Sequence, residues 1–593
     1  VFDEEVAQVR IFADLWWFFK QERLKYSFGV IFLMLSSFLS MIPPYVVGIL
    51  VDDIRTRSLT PVVLGKWILF LVIIGIIYYF TGYIWRQLIF GSSIILANQL
   101  RNDLYRHFTK LSPNFFQKRR IGDLMAHATN DINAVQGAAG EGILTLFDSL
   151  TLGGMVIVTM SAFISWQLTL ITLLPMPIMV VLTMHYGNLL HKRFGKAQAA
   201  FSDLNDKVQE NVSGVRVIKA FGEEEAQINM FRKASRDVVD KNIAVAKVDS
   251  LFDPTITFIV ALCYFLALIF GSIYVVQGSM TIGGLTSFTL YLGQLIWPML
   301  AFGFLFNIVE RGSASYDRIR RLLSIKPEIT DEKGASSEVP SGAVEYAIRS
   351  FRYPESDSNV MSAIHIKVDQ GQTLGIVGKT GAGKTTMLRL LLREFDIKDG
   401  LISIGGKNIR SVTIDALRSA IGYVPQDHIL FSATIAENIA FAKPEATREE
   451  IERVARLASI HEDILHFKEG YETVVGERGV TLSGGQKQRI SIARALLADP
   501  EVLIFDDSLS AVDARTEVSI LHALKHERMN KTTLISAHRL SAVEHADQIV
   551  VLDEGKIIER GTHEELIEKD GWYAEMYAHQ QLESLVSEGG GKA

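Results

Sequence analysis

The sequence predicts two structural classes in one chain: an all-helical half of six membrane-spanning helices, followed by an α/β half. Three observations carry this. Charge is absent over long stretches, although 21% of the 593 residues are charged. From Val344 onward, short apolar strands alternate with amphipathic helices. A glycine loop stands between one such strand and its helix, in "TLGIVGKTGAGKTTMLRLLL". At this length two or more domains are expected.

Runs without a charged residue cover 24 residues from Ser27 to Leu50, 19 from Trp67 to Trp85, 37 from Ser149 to His185 and 56 from Pro254 to Val309. A span needs about 20 apolar residues. The last two runs therefore hold two spans each, with breaks at "ISWQLT" near Trp166 and "VVQGSMTIGG" near Gly278. Orientation follows from basic residues in the loops. Arg86, Arg101, Arg106, Lys110, Lys118, Arg119 and Arg120 lie between spans two and three, and 11 more, from Lys192 to Lys247, between spans four and five. The loops after spans three and five have none, so both termini are expected on the cytoplasmic side of a cell membrane. The two basic loops read as helices continuing beyond the bilayer, interrupted at "KLSPNFFQKRRIGDL" around Pro113 and at "QENVSGVRVIKAFGEE" around Gly214.

Ahead of span one, "IFADLWWFFK", Ile11 to Lys20, is aromatic and apolar, and its tryptophans suit a bilayer interface. An elbow helix on the cytoplasmic surface is expected, a plain extension of span one being the alternative. The first apolar run is too long for the core of a cleavable signal, and since the sequence opens at Val1, part of a native start is expected to be missing. The single cysteine, Cys263, lies in span five as a small hydrophobe and excludes an internal disulfide. A net charge of -6 carries no message about nucleic acid, and no nucleic-acid partner is expected.

In the glycine loop, Gly378, Gly383, Lys384 and Thr385 stand at G-x-x-x-x-G-K-T spacing. Such a P-loop closes backbone N–H groups on a phosphate, offers the lysine to the β and γ groups, and lets the threonine ligate Mg²⁺. "EVLIFDD" puts Asp506 at the end of an apolar strand, where an acid can hold the same ion. Between them "TLSGGQKQRISIARAL" opens a helix on Ser483, Gly484, Gly485 and Gln486, small residues that leave N-terminal amides for another phosphate. The expected divisions are an elbow region over 1–26, a transmembrane domain over 27–312, a linker over 313–343, a nucleotide-binding domain over 344–582 and a tail over 583–593.

Glycine loop, LSGGQ, strand-end aspartate and "ISAHRLS", in that order, make the chain resemble a half-transporter of the ATP-binding cassette (ABC) superfamily, exporter type, from about Ile11 to Leu582. The resemblance implies ATP and Mg²⁺ as cofactors and two paired chains. Each ATP then lies between one chain's glycine loop, here Gly378, Lys379, Thr380, Gly381, Ala382, Gly383, Lys384, Thr385 and Thr386, and the other's LSGGQ. It further implies that Tyr353 in "SFRYP" stacks on adenine, an edge-strand aromatic being the alternative. Gln426 in "YVPQD" would sense the γ-phosphate and Mg²⁺, so that Thr385, Gln426 and Asp506 surround the metal. His538 would contact the γ-phosphate, and Asp513 in "SLSAVD" would cross to the partner. The two interruptions match the family's coupling helices, and "VVGERG", Val474 to Gly479, the loop that meets them. Basic loops facing lipid headgroups are the alternative.

One position departs from the family pattern. The residue after the strand-end aspartate is usually a glutamate that positions or activates the attacking water; here it is Asp507, one methylene shorter. The LSGGQ is intact. These features resemble the heterodimeric bacterial multidrug exporters: a slow Walker site on this chain, with Asp507, His538 and Gln426 as its catalytic set, and a signature completing a competent site on a second half-transporter. A homodimer that tolerates the aspartate is the alternative. Expected substrates are hydrophobic or amphipathic compounds, with a lipid or lipopeptide flippase as a second function and a regulatory membrane ATPase as a third. Tyr264, Gln294, Trp297, Phe302 and Asn307 are candidates to line the path; Glu141, Asp148 and Asp253 are expected at the cytoplasmic ends or in the intracellular extensions, solvated or paired, with binding of cationic compounds as the alternative.

Overall fold

A computed structural model describes residues 10–354, 356–476 and 482–589, apart from the side chains of 302, 303 and 584–589. The chain forms two compact units: Val1–Lys110 with Lys118–Lys326, and Leu111–Gln117 with Pro327–Ala593.

In the first unit, helices long and apolar enough to cross a membrane cover Arg23–Arg55, Pro61–Phe108, Ile121–Leu173, Glu224–Val276 and Ile282–Leu323. The third contains the break expected near Trp166. Ser165 leaves helical geometry (φ −163°, ψ 117°), and its side chain accepts from Leu168 N, capping a new helix over Trp166–Leu173. That helix continues past a turn at Leu174 into Met176–Ser213, in the place expected for the fourth of six spans. The sixth runs through Gly312, where the membrane domain was expected to end, as far as Leu323.

Span one is interrupted at Met41, just ahead of its prolines, and span six hydrogen-bonds to the interruption. Pro43 and Pro44 have no N–H, so carbonyls one turn back lose their helical donors. In hydrocarbon each orphan must be satisfied by protein. Gln294 Nε2 donates at 3.0 Å to the Ser40 carbonyl, the one that Pro44 leaves without a donor, and on either side Tyr291 Oη reaches the Met41 carbonyl at 2.6 Å and Ser287 Oγ that of Pro44 at 2.9 Å. The backbones close further out, where a Cβ on Gly283 would lie 2.0 Å from the Gly48 carbonyl oxygen. Gln294 is thus bound to span one. Among the other candidates for the path, Trp297 and Asn307 are exposed, Tyr264 is half-buried, and the Phe302 side chain falls outside the described residues. Glu141 and Asp253 are exposed, while Asp148 is half-buried.

Beyond the charge-free stretches, Asp131 ties helices three and six together. Its carboxylate, buried to 8% exposure, accepts from Arg318 Nε (3.0 Å) and Nη2 (2.5 Å) and from Ser315 Oγ (2.9 Å), and lies 2.6 Å from His127 Nδ1. Asp131→Asn should cost about 2 kcal/mol, less than a fully buried pair because Arg318 is partly in water. The check is the unfolding temperature of the purified chain, which should fall.

The elbow is two short helices, Arg10–Asp14 and Trp16–Gln21, set off from span one at Glu22. Ile11, Leu15 and Phe18 are fully buried, and Trp17 Nε1 donates to Tyr316 Oη on the helix of span six. Trp16 is 65% exposed, which leaves an aromatic for the interface on the opposite side.

Both interruptions of the long loops are short helices. Pro113–Gln117 belongs to the second unit, where Ser112 Oγ and Asn114 Nδ2 donate to the Glu328 carboxylate at 3.2 and 3.1 Å. Val215–Phe221 ends at Gly222 in the left-handed region (φ 68°) and leaves Val215, Val217 and Phe221 exposed.

The second unit is built on two sheets. Its strands are β1 Val344–Phe351, β2 Met361–Val368, β3 Thr373–Gly378, β4 Asp399–Ile404, β5 Lys407–Asn408, β6 Ile421–Val424, β7 Val502–Asp506, β8 Thr532–Ser536, β9 Gln548–Asp553 and β10 Lys556–Gly561. The antiparallel sheet has the order β2-β1-β4-β5, and the other β10-β9-β3-β8-β7-β6, parallel except at β10. β7 and β8 are buried along their whole length, as strands covered on both faces must be. The segment expected as a linker is strapped to this unit from Thr330 onward. The Thr330 carbonyl accepts from Arg393 Nη2, Asp331 Oδ1 from Ile414 N, and Glu332 pairs with Arg410 at 2.7 Å.

Candidate nucleotide-binding site

In an open parallel sheet, functional groups gather beyond the carboxyl ends of the strands. Here four neighbouring strands, β3, β8, β7 and β6, bring Gly378, the His538 loop, Asp506 with Asp507, and Gln426 to one edge. The glycine loop after β3 needs its glycines. Gly378 sits at φ 144° with room for no side chain, because a Cβ would lie 2.1 Å from the Leu552 carbonyl oxygen. Gly381 and Gly383 also hold positive φ, at 84° and 102°. Gly383 opens the helix Lys384–Leu391, whose first amides have no acceptor within the helix. Lys384 folds back over the loop, donating from Nζ to the Gly378 carbonyl at 2.8 Å and to that of Lys379 at 3.1 Å. Burial lowers the pKa of its ammonium, against the pull of Asp507 and Asp506.

Asp506 is 1% exposed at the end of β7. Thr385 Oγ1 donates to its Oδ1 at 2.9 Å and Tyr423 Oη to its Oδ2 at 3.1 Å. Burial raises its pKa, against those two hydrogen bonds, and the neighbouring Asp507 adds to the rise. Asp507 has left-handed backbone (φ 48°), and its N–H donates to the Ser536 carbonyl at 2.9 Å. Its carboxylate meets two long contacts, His538 N to Oδ1 and Gln426 Nε2 to Oδ2, both at 3.4 Å. Lys384, Thr385, Asp506, Asp507, Gln426 and the His538 backbone thus form one cluster.

Tyr353 joins this neighbourhood through Thr386, with its Oη 2.8 Å from Thr386 Oγ1. Its ring stands edge-on to Phe395 at 5.0 Å and to Phe351 at 5.3 Å. Lys379 Nζ pairs with Asp553 at 3.6 Å, Thr380 is exposed and Ala382 is buried.

Ser483–Gln486 stand on another element. Ser483 caps the helix Gly484–Leu497 in a reciprocal box with Gln486. Gln486 Nε2 also donates to Asp463 Oδ1 at 3.1 Å, an acid further held by Arg489 at 2.9 Å. Among the described residues no hydrogen bond joins these four to the strand-end cluster. Asp513 also has local work, since its Oδ1 accepts from Thr516 N at 3.1 Å and caps the helix Ala514–Glu527. Val474 and Val475 pair with the segment around Thr434, and the rest of the VVGERG stretch, from Glu477 to Gly479, lies outside the described residues.

Tyr423 was not anticipated. A signal existed in that it sits on β6, whose neighbour in register is β7, three residues before Gln426. A hydroxyl there reaches the acid that ends the next strand.

Family models match the chain twice, as the ABC transporter transmembrane region over residues 26–299 and as ABC transporter over 361–510. The chain is 48% identical over 582 residues to the multidrug resistance-like ATP-binding protein MdlA of Escherichia coli strain K12, covering 98% of each. It is 44% identical to the probable multidrug resistance ABC transporter ATP-binding/permease protein YheI of Bacillus subtilis strain 168, over 98% of this chain and 99% of that one. An ATP-dependent lipid A-core flippase of Syntrophus aciditrophicus strain SB is 34% identical over 83% of this chain and 82% of its own length. Among solved structures, a bacterial Atm1-family ABC exporter with ATP bound superposes with a TM-score of 0.76 at 28% identity, over 94% of this chain and 98% of that one. Five helices long and apolar enough to cross a membrane among the described residues, a P-loop α/β unit and relatives matched from end to end lead to one conclusion: the chain belongs to the ABC transporter family, as a multi-pass membrane exporter that binds ATP and couples its hydrolysis to transport.

Proposed function

We propose that the chain is one half of a heterodimeric exporter of amphipathic compounds in a cell membrane, with both termini cytoplasmic, and that its own Walker site binds ATP but hydrolyses it slowly. The observation that carries this is Asp507. The shorter acid is drawn onto His538 N and Gln426 Nε2, and by one methylene stops roughly 1 Å short of where a glutamate would act. The binding apparatus, Gly378 to Thr386 with Asp506, is complete beside it, and Ser483–Gln486 is ordered for use by a partner's nucleotide. The names of the relatives at 48% and 44% identity support multidrug export. The flippase relative supports lipid as a second substrate class, for which ATP turnover would follow lipid headgroup type.

The residues present fit Mg²⁺. No group of three or more acids or histidines that could hold a metal occurs among the described residues. Mg²⁺ beside a nucleotide needs no such cage, being held by one or two protein oxygens, water and phosphates. Thr385 Oγ1 and Asp506 Oδ1, with Gln426 nearby, supply hard oxygen donors of that kind, and the ion would add charge to steady the β- and γ-phosphates. Lys384 binds the same phosphates and Tyr353 the base. Tyr423 fixes the carboxylate so that Oδ1 faces Thr385. Tyr423→Phe should raise the Mg²⁺ concentration for half-maximal ATP binding about fivefold, the worth of one hydrogen bond, as read by titrating Mg²⁺ at fixed ATP.

Purifying the chain from cells that make it natively tests the pairing. A second half-transporter with glutamate after its strand-end aspartate should come with it in equal amount. A homodimer with steady ATP turnover would contradict the proposal.

A further inference from the structure

The loop that carries His538 is held from both sides. From the strand edge, its N–H donates to Asp507 Oδ1. From the other side Gln580, on the helix Trp572–Gly589, uses both ends of its amide: Nε2 donates to the His538 carbonyl at 2.9 Å, and Oε1 accepts from Leu540 N at 2.9 Å. Two ties fix the residues between and beyond. Arg539 Nη1 donates to the Val512 carbonyl at 3.4 Å, and Ser541 Oγ to Glu517 Oε1 at 3.1 Å, with Glu517 itself 2% exposed.

The clamp has a firm base. The helix is anchored one end away from Gln580 by Tyr573, fully buried, whose Oη is 2.9 Å from His563 Nδ1. Glu559 on β10 accepts from Trp572 N at 2.6 Å and Tyr573 N at 3.3 Å, capping the first turn. The His538 side chain, by contrast, is exposed, and its direction is set by the backbone from which it projects. Gln580 holds the main chain on both sides of Arg539 and so fixes that direction.

We propose that Gln580 is a positioning residue for His538, through which the C-terminal helix sets this chain's discrimination between ATP and ADP. The proposal rests on the reading that His538 contacts the γ-phosphate. A residue that acts this way matters to a nucleotide with a γ-phosphate and not to one without.

The test compares ATP and ADP affinities of the purified full chain with Mg²⁺, for the wild type, Gln580→Leu, His538→Ala and the double variant. Gln580→Leu should weaken ATP about fivefold, roughly one hydrogen bond's worth, with ADP unchanged. The double variant should bind ATP no more weakly than His538→Ala alone, as residues acting in series require. Equal loss of ATP and ADP with Gln580→Leu, or no loss of either, would overturn the proposal while leaving His538 as read. Failure of His538→Ala to weaken ATP selectively would overturn the reading of His538 and the proposal with it.

Discussion

Asp507→Glu is expected to raise ATP turnover of the purified chain by about 10²-fold with ATP affinity unchanged. A reacting group misplaced by about 1 Å can cost on the order of 10²-fold, or about 2.7 kcal/mol of barrier. One effect opposes the gain. The residue holds left-handed backbone (φ 48°), which aspartate tolerates better than glutamate, at a cost of roughly 1 kcal/mol. That cost falls on the fold and is the smaller of the two. The added methylene lengthens the reach of a carboxylate whose contacts to His538 N and Gln426 Nε2 are both long, at 3.4 Å. Steady-state phosphate release, with ATP binding measured on the same samples, checks the result. Unchanged turnover would mean that something other than the length of the acid limits the site.

Gly485→Asp should lower turnover of the assembled transporter by about 10²- to 10³-fold, comparable to removing a preorganised donor from a developing anion, and leave this chain's own ATP binding untouched. Gly485 is the second residue of the helix that Ser483 caps. An acid near a helix N-terminus favours the helix, so the fold is expected to survive, although a Cβ there meets the Ala511 carbonyl oxygen at 3.0 Å. The same carboxylate repels a phosphate brought to those amides. Because Gly378–Thr386 and Asp506 are on other elements, nucleotide retained by this chain is the internal control. Turnover that survives the substitution would remove the role of the signature in a competent site.

The membrane half was legible because charge is costly in hydrocarbon, so its absence marks spans. Even the subtle break at Ser165 left a trace in "ISWQLT". The P-loop and signature were legible because their chemistry needs particular residues at fixed spacing. Gln294 was not legible. Nothing in its own helix says that it serves the Ser40 carbonyl, which a proline on span one has deprived of its donor. Tyr423 and Gln580 are hidden for the same reason, since their partners Asp506 and His538 are close only after the sheet and the last helix have formed. The charged stretch after span six shows a further limit. Its composition reads as a free connection, yet its acids find Arg410 and the Ile414 amide and bind it down.

The central claim is that this chain's Walker site keeps ATP intact. The most direct measurement loads the purified chain with radiolabelled ATP and Mg²⁺, removes free nucleotide, and identifies what remains bound over time. Retention of ATP across many turnover times of a competent cassette is the predicted result. Prompt conversion to ADP and phosphate, at the pace of a site with glutamate, would contradict the account.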